Sequence, residues 1–186
     1  MVLDLIRANR SFRRFDCERR IERKELCKMI EGARCSASAA NLQRIRYALV
    51  TEKEKCDKIF ANVAFAGYLK SWGGPSETER PTAYIVMMTE KEPDINVAID
   101  AGIAAQSILL IAREMGYGGC MLRSFKKDEV EQILCKDGYC TLMIIALGKP
   151  CERVYLTEAK NKDIKYFRDE NDDHAVPKLS LDELII

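Results

Sequence analysis

Three guanidinium groups and a hydroxyl are gathered with two aromatic rings in Asn9-Arg10-Ser11-Phe12-Arg13-Arg14-Phe15. Arginine offers a rigid fork of donors matched to phosphate or carboxylate oxygens, and a neighbouring serine can donate to the same group or to a sugar alcohol, so the stretch reads as an anion site. On spacing alone a solvated basic turn would look the same. Two further stretches favour binding. Ser36-Ala37-Ser38-Ala39-Ala40-Asn41-Leu42-Gln43 has small side chains that let backbone donors approach a flat ligand, with orientable amides at Asn41 and Gln43. Gly116-Tyr117-Gly118-Gly119-Cys120 is the third, rich in glycine.

Other chemistries find little footing. The single histidine, His174, lies beside an acidic run and reads as structural; no nucleophile sits in a recognisable elbow. The Gly-x-Gly-Gly run closes a predicted helix and opens a strand, the reverse of a dinucleotide fingerprint, where phosphate meets a helix N-terminus. Gly148-Lys149-Pro150 lacks the frame of a P-loop. With no Cys-x-x-Cys pair and one histidine, common zinc and iron-sulfur spacings are missing. No metal ligand and no catalytic side chain is expected.

The elements that must hold these stretches follow from hydrophobic spacing. A short helix over Val2 to Ala8 leads into the arginines, with Phe12 and Phe15 anchoring the turn. Leu26, Met29, Ile30 and Ala33 form the stripe of a helix with one buried face, ending near Arg34. Arg46 to Thr51 reads as a strand and Lys53 to Phe60 as a helix. Gly67 to Pro81 is a loop whose Trp72, the only tryptophan, pins it to the body or covers a pocket. Thr82 to Thr89 is apolar throughout, so central in its sheet. Ile95 to Met115 is the longest helix, apolar nearly all round from Ala101 to Ala112 and therefore in the middle of the structure, with Gly116 as its stop. A strand over Cys120 to Leu122, a helix carrying Val130, Ile133 and Leu134, and a strand over Thr141 to Leu147 follow. Lys165 to Lys178 reads as a hairpin with an acidic turn, and the apolar end from Ser180 to Ile185 needs a surface to dock on.

The expected architecture is α+β, a central and mainly antiparallel sheet flanked by helices. A chain of 186 residues, 47% hydrophobic, fits one domain over 1–186. Thirty basic against 29 acidic residues leave no field for nucleic acid or a membrane surface, so any anion site is local. No apolar run is expected to span a bilayer, and eight cysteines without an export signal read as reduced thiols of a cytoplasmic protein. The small-sided central helix and the apolar tail, 160–186, point to a homodimer in which the tail docks on the partner.

Taken in order, these motifs resemble the nitroreductase family of flavin mononucleotide (FMN) enzymes, especially its short bacterial members, over nearly the whole chain. Arg10-Ser11-Phe12-Arg13 is similar to the family's Arg-Arg-Ser-x-Arg motif, and Ala37 to Gln43 to its Pro-Ser-x-x-Asn-x-Gln turn. Gly116 to Phe125 resembles its Gly-Leu-Gly segment, and Pro177-Lys178 its basic tail. The resemblance implies an intertwined homodimer that passes hydride from NADH or NADPH through bound FMN to a small planar acceptor such as a nitroaromatic or quinone; a flavin-sequestering protein with negligible turnover is the alternative. It puts Arg10, Ser11 and Arg13 on the phosphate, ribityl chain and pyrimidine edge, and Ala37, Ser38 and Asn41 of the other subunit beside them. Backbone groups at Arg123 and Ser124 would face the reactive edge of the ring, and Lys178 the phosphate. Asn9, Ala37 and Arg44-Ile45 depart from the family pattern. A flavin carries its own electrons, so one histidine is no obstacle, and Arg13 is the guanidinium expected to stabilise the reduced ring.

Overall fold

The structure, a computed structural model, describes residues 1–90 and 92–186. Its helices are α1 (Val2–Ala8), α2 (Arg23–Arg34), α3 (Lys53–Phe60), α4 (Ile95–Glu114), α5 (Lys127–Leu134) and the short α6 (Leu181–Leu184). The strands are β1 (Phe15–Asp16), β2 (Arg46–Val50), β3 (Ala83–Thr89), β4 (Gly118–Leu122), β5 (Cys140–Pro150), β6 (Val154–Glu158), β7 (Phe167–Arg168) and β8 (His174–Lys178). The larger sheet runs β2-β3-β5-β4, every neighbour antiparallel, and β1 pairs the far end of β5 through Phe15 and Pro150. This is the α+β architecture expected from the sequence.

The period of two in a strand explains why this sheet needs helices on both faces. All seven residues of β3 are buried, and successive side chains point to opposite sides. Ala83, Ile85 and Met87 join Ile145 and Leu147 under α2 and α4. Tyr84, Val86 and Met88 join Ile144 and Ala146 on the other face, which α3 covers through Cys56 and Ile59 and α5 through Val130. On the first face α2 approaches α4 closely because Gly32 has no side chain; a Cβ there would sit 2.8 Å from Ile111.

Local chemistry sets the helix ends. Glu22 and Glu25 form a capping box at the start of α2. Asp94 caps α4 by accepting from the Val97 amide at 2.9 Å. Gly116, at φ +82°, turns the chain out of α4, a conformation a side chain would disfavour.

Several elements differ from expectation. The glycine-rich stretch is already strand from Gly118. The arginine stretch is extended, bridging β4 in parallel through Ser11 and Gly119 and then entering β1. The acidic hairpin is present as β7 and β8, with the Asp169 carboxylate accepting from the amides of Asn171 and Asp173, both at 3.0 Å. A third strand, β6, pairs β8 in parallel. The apolar end forms one helical turn, α6. The expectation that no run could span a bilayer is corrected: α4 is 20 residues long and apolar enough to do so. It is a core helix, with eight residues buried beneath α2 and the sheet. Nor is α4 enclosed all round, since Ile95, Ile99, Gly102 and Ile103 form an exposed stripe.

Candidate functional site

The arginine stretch lies where it does because glycines make room for its aromatic anchors. Phe12 and Phe15 are buried. A Cβ on Gly118 would fall 2.5 Å from the Phe12 ring, and one on Gly148 would fall 2.7 Å from Phe15. Gly119 has no room either, with the Ala146 carbonyl oxygen 2.5 Å from its hypothetical Cβ. The Phe12 amide donates to the Gly119 carbonyl at 3.0 Å, holding Arg10, Ser11 and Arg13 alongside the start of β4. Arg123 and Ser124 follow at the other end of that strand, both exposed, four residues and roughly 13 Å from Gly119.

The polar atoms of this stretch are only partly satisfied within the protein. Arg10 donates to the Ile6 carbonyl at the end of α1 at 2.8 Å, and burial lowers its pKa. Arg13, buried, donates through one terminal nitrogen to the Ser11 carbonyl at 3.0 Å and to His174 Nε2 at 3.3 Å, with the Tyr166 ring 5.0 Å from its guanidinium carbon. Asn9 Oδ1, Arg10 Nε, Arg13 Nε and Arg14 Nε are buried without a hydrogen-bond partner among the described residues.

Glu152, just beyond β5 and unmarked by any sequence motif, organises the stretch from behind together with Trp72 and His174. The Glu152 carboxylate accepts the amides of Arg13 and, at 3.0 Å, of Arg14, and it pairs with Arg168 at 2.8 Å. Trp72 stands over both Arg14 (5.8 Å) and Arg168 (5.2 Å), so it ties the loop between Gly67 and Pro81 to the body. His174 is fully buried, and burial together with the charges of Arg13, Arg168 and Arg14 pushes its pKa down to about 4. It is a neutral, structural histidine at physiological pH.

The second predicted stretch forms a separate turn. Ser38 Oγ donates to Asp100 of α4 at 2.7 Å, and the Ala39 amide donates to the other Asp100 oxygen at 3.0 Å. The Gln43 amide donates back to Ser38 Oγ at 3.1 Å, and its side chain to Asn41 Oδ1 at 3.1 Å. Ala40, Asn41 and Gln43 all have φ near +50°, which a non-glycine residue adopts at a cost and which the Asp100 anchor sustains. The turn walls a cavity of about 430 Å³ with Ala37, Arg44, Tyr47 and Asp100. Arg44 forks onto Asp94 at 2.7 and 3.1 Å, bracing the start of α4. A lone acid inside an apolar helix is a signal that could have marked Asp100.

One copy of the chain does not bring these stretches together. Ser38 rests on Asp100, whereas Phe12 lies under Arg113 at 5.5 Å, thirteen residues or roughly 20 Å further along α4. Lys178 is exposed at the end of β8 opposite His174.

The sequence model described as Nitroreductase family matches residues 6–149. YdgI of Bacillus subtilis (strain 168), which carries a provisional NAD(P)H nitroreductase name, is 23% identical over 188 residues, covering 82% of this chain and 90% of its own. Among solved structures, an FMN-dependent nitroreductase of Clostridium difficile R20291 superposes with a TM-score of 0.66 at 22% identity, covering 87% of this chain and 93% of its own. A nitroreductase family protein of Streptococcus pneumoniae TIGR4 gives 0.71 at 16% identity over 100% and 99%. At such identities the structural likeness speaks for the fold.

Proposed function

The chain belongs to the nitroreductase family, and from that premise we propose that it is an oxidoreductase that binds FMN and uses NADH or NADPH to reduce a small planar acceptor such as a nitroaromatic or quinone. The observation that carries the reading is the clustering of orphaned polar atoms in the arginine stretch, Asn9 Oδ1, Arg10 Nε, Arg13 Nε and Arg14 Nε. Each such atom left buried and unmade costs about 1–3 kcal/mol, and a bound group that satisfies several of them at once would offset that cost. Guanidinium donors suit the oxygens of a phosphate and of a flavin's pyrimidine edge. The fit to FMN is therefore good.

In this reading Arg10 and Ser11 hold the phosphate end and ribityl chain, Arg13 faces the pyrimidine edge, backbone groups at Arg123 and Ser124 border the reactive edge, and Lys178 adds charge at the phosphate. Bound FMN would supply the hydride chemistry. The protein binds, orients and excludes water, with no acid or base asked of its side chains. Ala37, Ser38 and Asn41 complete the site from a second copy. The separation of roughly 20 Å along α4 supports this, because a two-fold partner can bring its own turn to the arginine stretch where one chain cannot. The relatives' names favour a nicotinamide reductant, and eight free thiols favour a reducing cytoplasm.

The test is a visible spectrum of the purified protein, followed by NAD(P)H oxidation with a quinone or nitroaromatic. Flavin absorption with acceptor-dependent turnover is the expected result. Flavin bound without turnover would make the protein a flavin store instead. The assigned roles separate in redox titrations of Arg10→Ala, Arg13→Ala and Lys178→Ala. Losing a phosphate contact should weaken FMN by about 1.5–3 kcal/mol in both redox states and leave the midpoint in place. Arg13→Ala should lower the midpoint, by roughly 30 mV for each 1.4 kcal/mol of selective stabilisation lost from the reduced state.

A further inference from the structure

We propose that His174 is a positioning residue that fixes the direction in which Arg13 offers its unpartnered Nε to a flavin, an inference resting on the flavin site proposed above. A guanidinium nitrogen can only donate, so the 3.3 Å contact makes His174 Nε2 an acceptor and leaves the ring proton on Nδ1. The Ser11 carbonyl takes the same Arg13 nitrogen from the other side, and the Tyr166 ring covers the guanidinium face. Tyr166 also stacks on His174 at 5.1 Å and on Tyr68 at 4.9 Å, so ring and guanidinium are held as one block.

Packing alone does not explain an imidazole here. His174 is fully buried and its Nδ1 has no partner among the described residues, so the ring carries the cost of an unmade hydrogen bond that a phenyl group would avoid. What a phenyl lacks is the acceptor. Charge must also be right: Arg13, Arg14 and Arg168 surround the ring, and the nearby Glu152 carboxylate is taken by Arg168 and two backbone amides. A protonated imidazole would repel Arg13, whereas the neutral ring, whose pKa lies near 4, accepts from it.

The experiment titrates FMN into flavin-free parent, His174→Gln and His174→Phe, each alone and with Arg13→Ala, alongside melting curves. His174→Gln supplies an amide oxygen and should stay within about threefold of the parent, while His174→Phe should bind about tenfold more weakly. In the Arg13→Ala background the phenyl should add nothing. Parent affinity should hold flat through pH 6.5, where an ordinary histidine titrates. Equal affinity in His174→Phe, equal loss in both variants, or the same loss with Arg13→Ala overturns the inference while leaving the flavin reading intact; a parent that binds no FMN overturns both. Should His174→Phe not fold, nitrogen NMR of the parent at pH 7 decides. A proton on Nδ1 alone supports the inference, and one on Nε2 overturns it.

Discussion

At the scale of single residues, Glu152 and His174 hold the arginine stretch, and neither works through surface charge. The Glu152 side chain is only 3% exposed and has three donors arranged around it. Removing it strands two backbone amides and leaves the largely buried Arg168 with Asp172 as its remaining partner. Glu152→Ala should therefore cost about 3 kcal/mol, read as a fall of roughly 6–12 °C in melting temperature. For His174 the sign runs with acid. Its folded pKa, about 4, lies below the ordinary value of 6.5, so folding favours the neutral ring. The contribution is present in full above pH 6.5 and is lost as pH falls toward 4, a change of about 3 kcal/mol. Denaturant unfolding at pH 7 and pH 4.5 should show His174→Gln losing less stability across that interval than the parent.

At the scale of elements, the decisive feature is how closely β4 approaches β5 and the arginine stretch. Gly119 has a backbone carbonyl 2.5 Å from where its Cβ would stand, and a carbonyl in a strand ladder cannot swing aside as a side-chain tip could. Gly119→Ala should cost roughly 3 kcal/mol and loosen flavin as well, since the Phe12 amide bonds to that residue. Melting temperature and FMN titration check the two effects together. A variant as stable as the parent would overturn the close approach of β4 to β5. The turn on Asp100 is the other dependent element. Its left-handed residues rely on two bonds to one carboxylate, so Asp100→Asn, which keeps the shape and removes the charge, should weaken FMN binding more than it lowers the melting temperature.

For the whole molecule, the question is what covers the stripe on α4. Ile95, Ile99 and Ile103 recur every four residues on one side, with open space over Gly102, and Leu3 and Ile6 of α1 are exposed on a helix that packs against α4. Apolar surface of that extent suits a second copy better than water. Light scattering at micromolar concentration should give twice 21.2 kDa for the parent. Ile99→Glu should shift it to the monomer and lose flavin in the same step, because the Ala37–Asn41 turn would no longer reach the site. A monomeric parent that still bound FMN would break the link between assembly and site.

Periodicity by itself located most of the elements. The unbroken apolar run along Thr82 to Thr89 and the stripe at Leu26, Met29 and Ala33 are statements about which faces can meet water, and those faces are local properties of the chain. The motifs carried the family because residue types in a fixed order along the chain are themselves properties of the sequence. Tertiary structure alone decided what stands behind them. Glu152 has no neighbours in sequence that mark it, yet folding sets it 139 positions away against Arg13. β6 could not be foreseen because its parallel partner lies twenty residues on, with another strand and its turn between, so no hairpin joins the pair. The outer side of α4 reads the same in sequence as its buried side, for apolar residues facing a partner and apolar residues facing a core obey one chemistry. Only the packing of α2 and the sheet on one side, and their absence on the other, tells them apart.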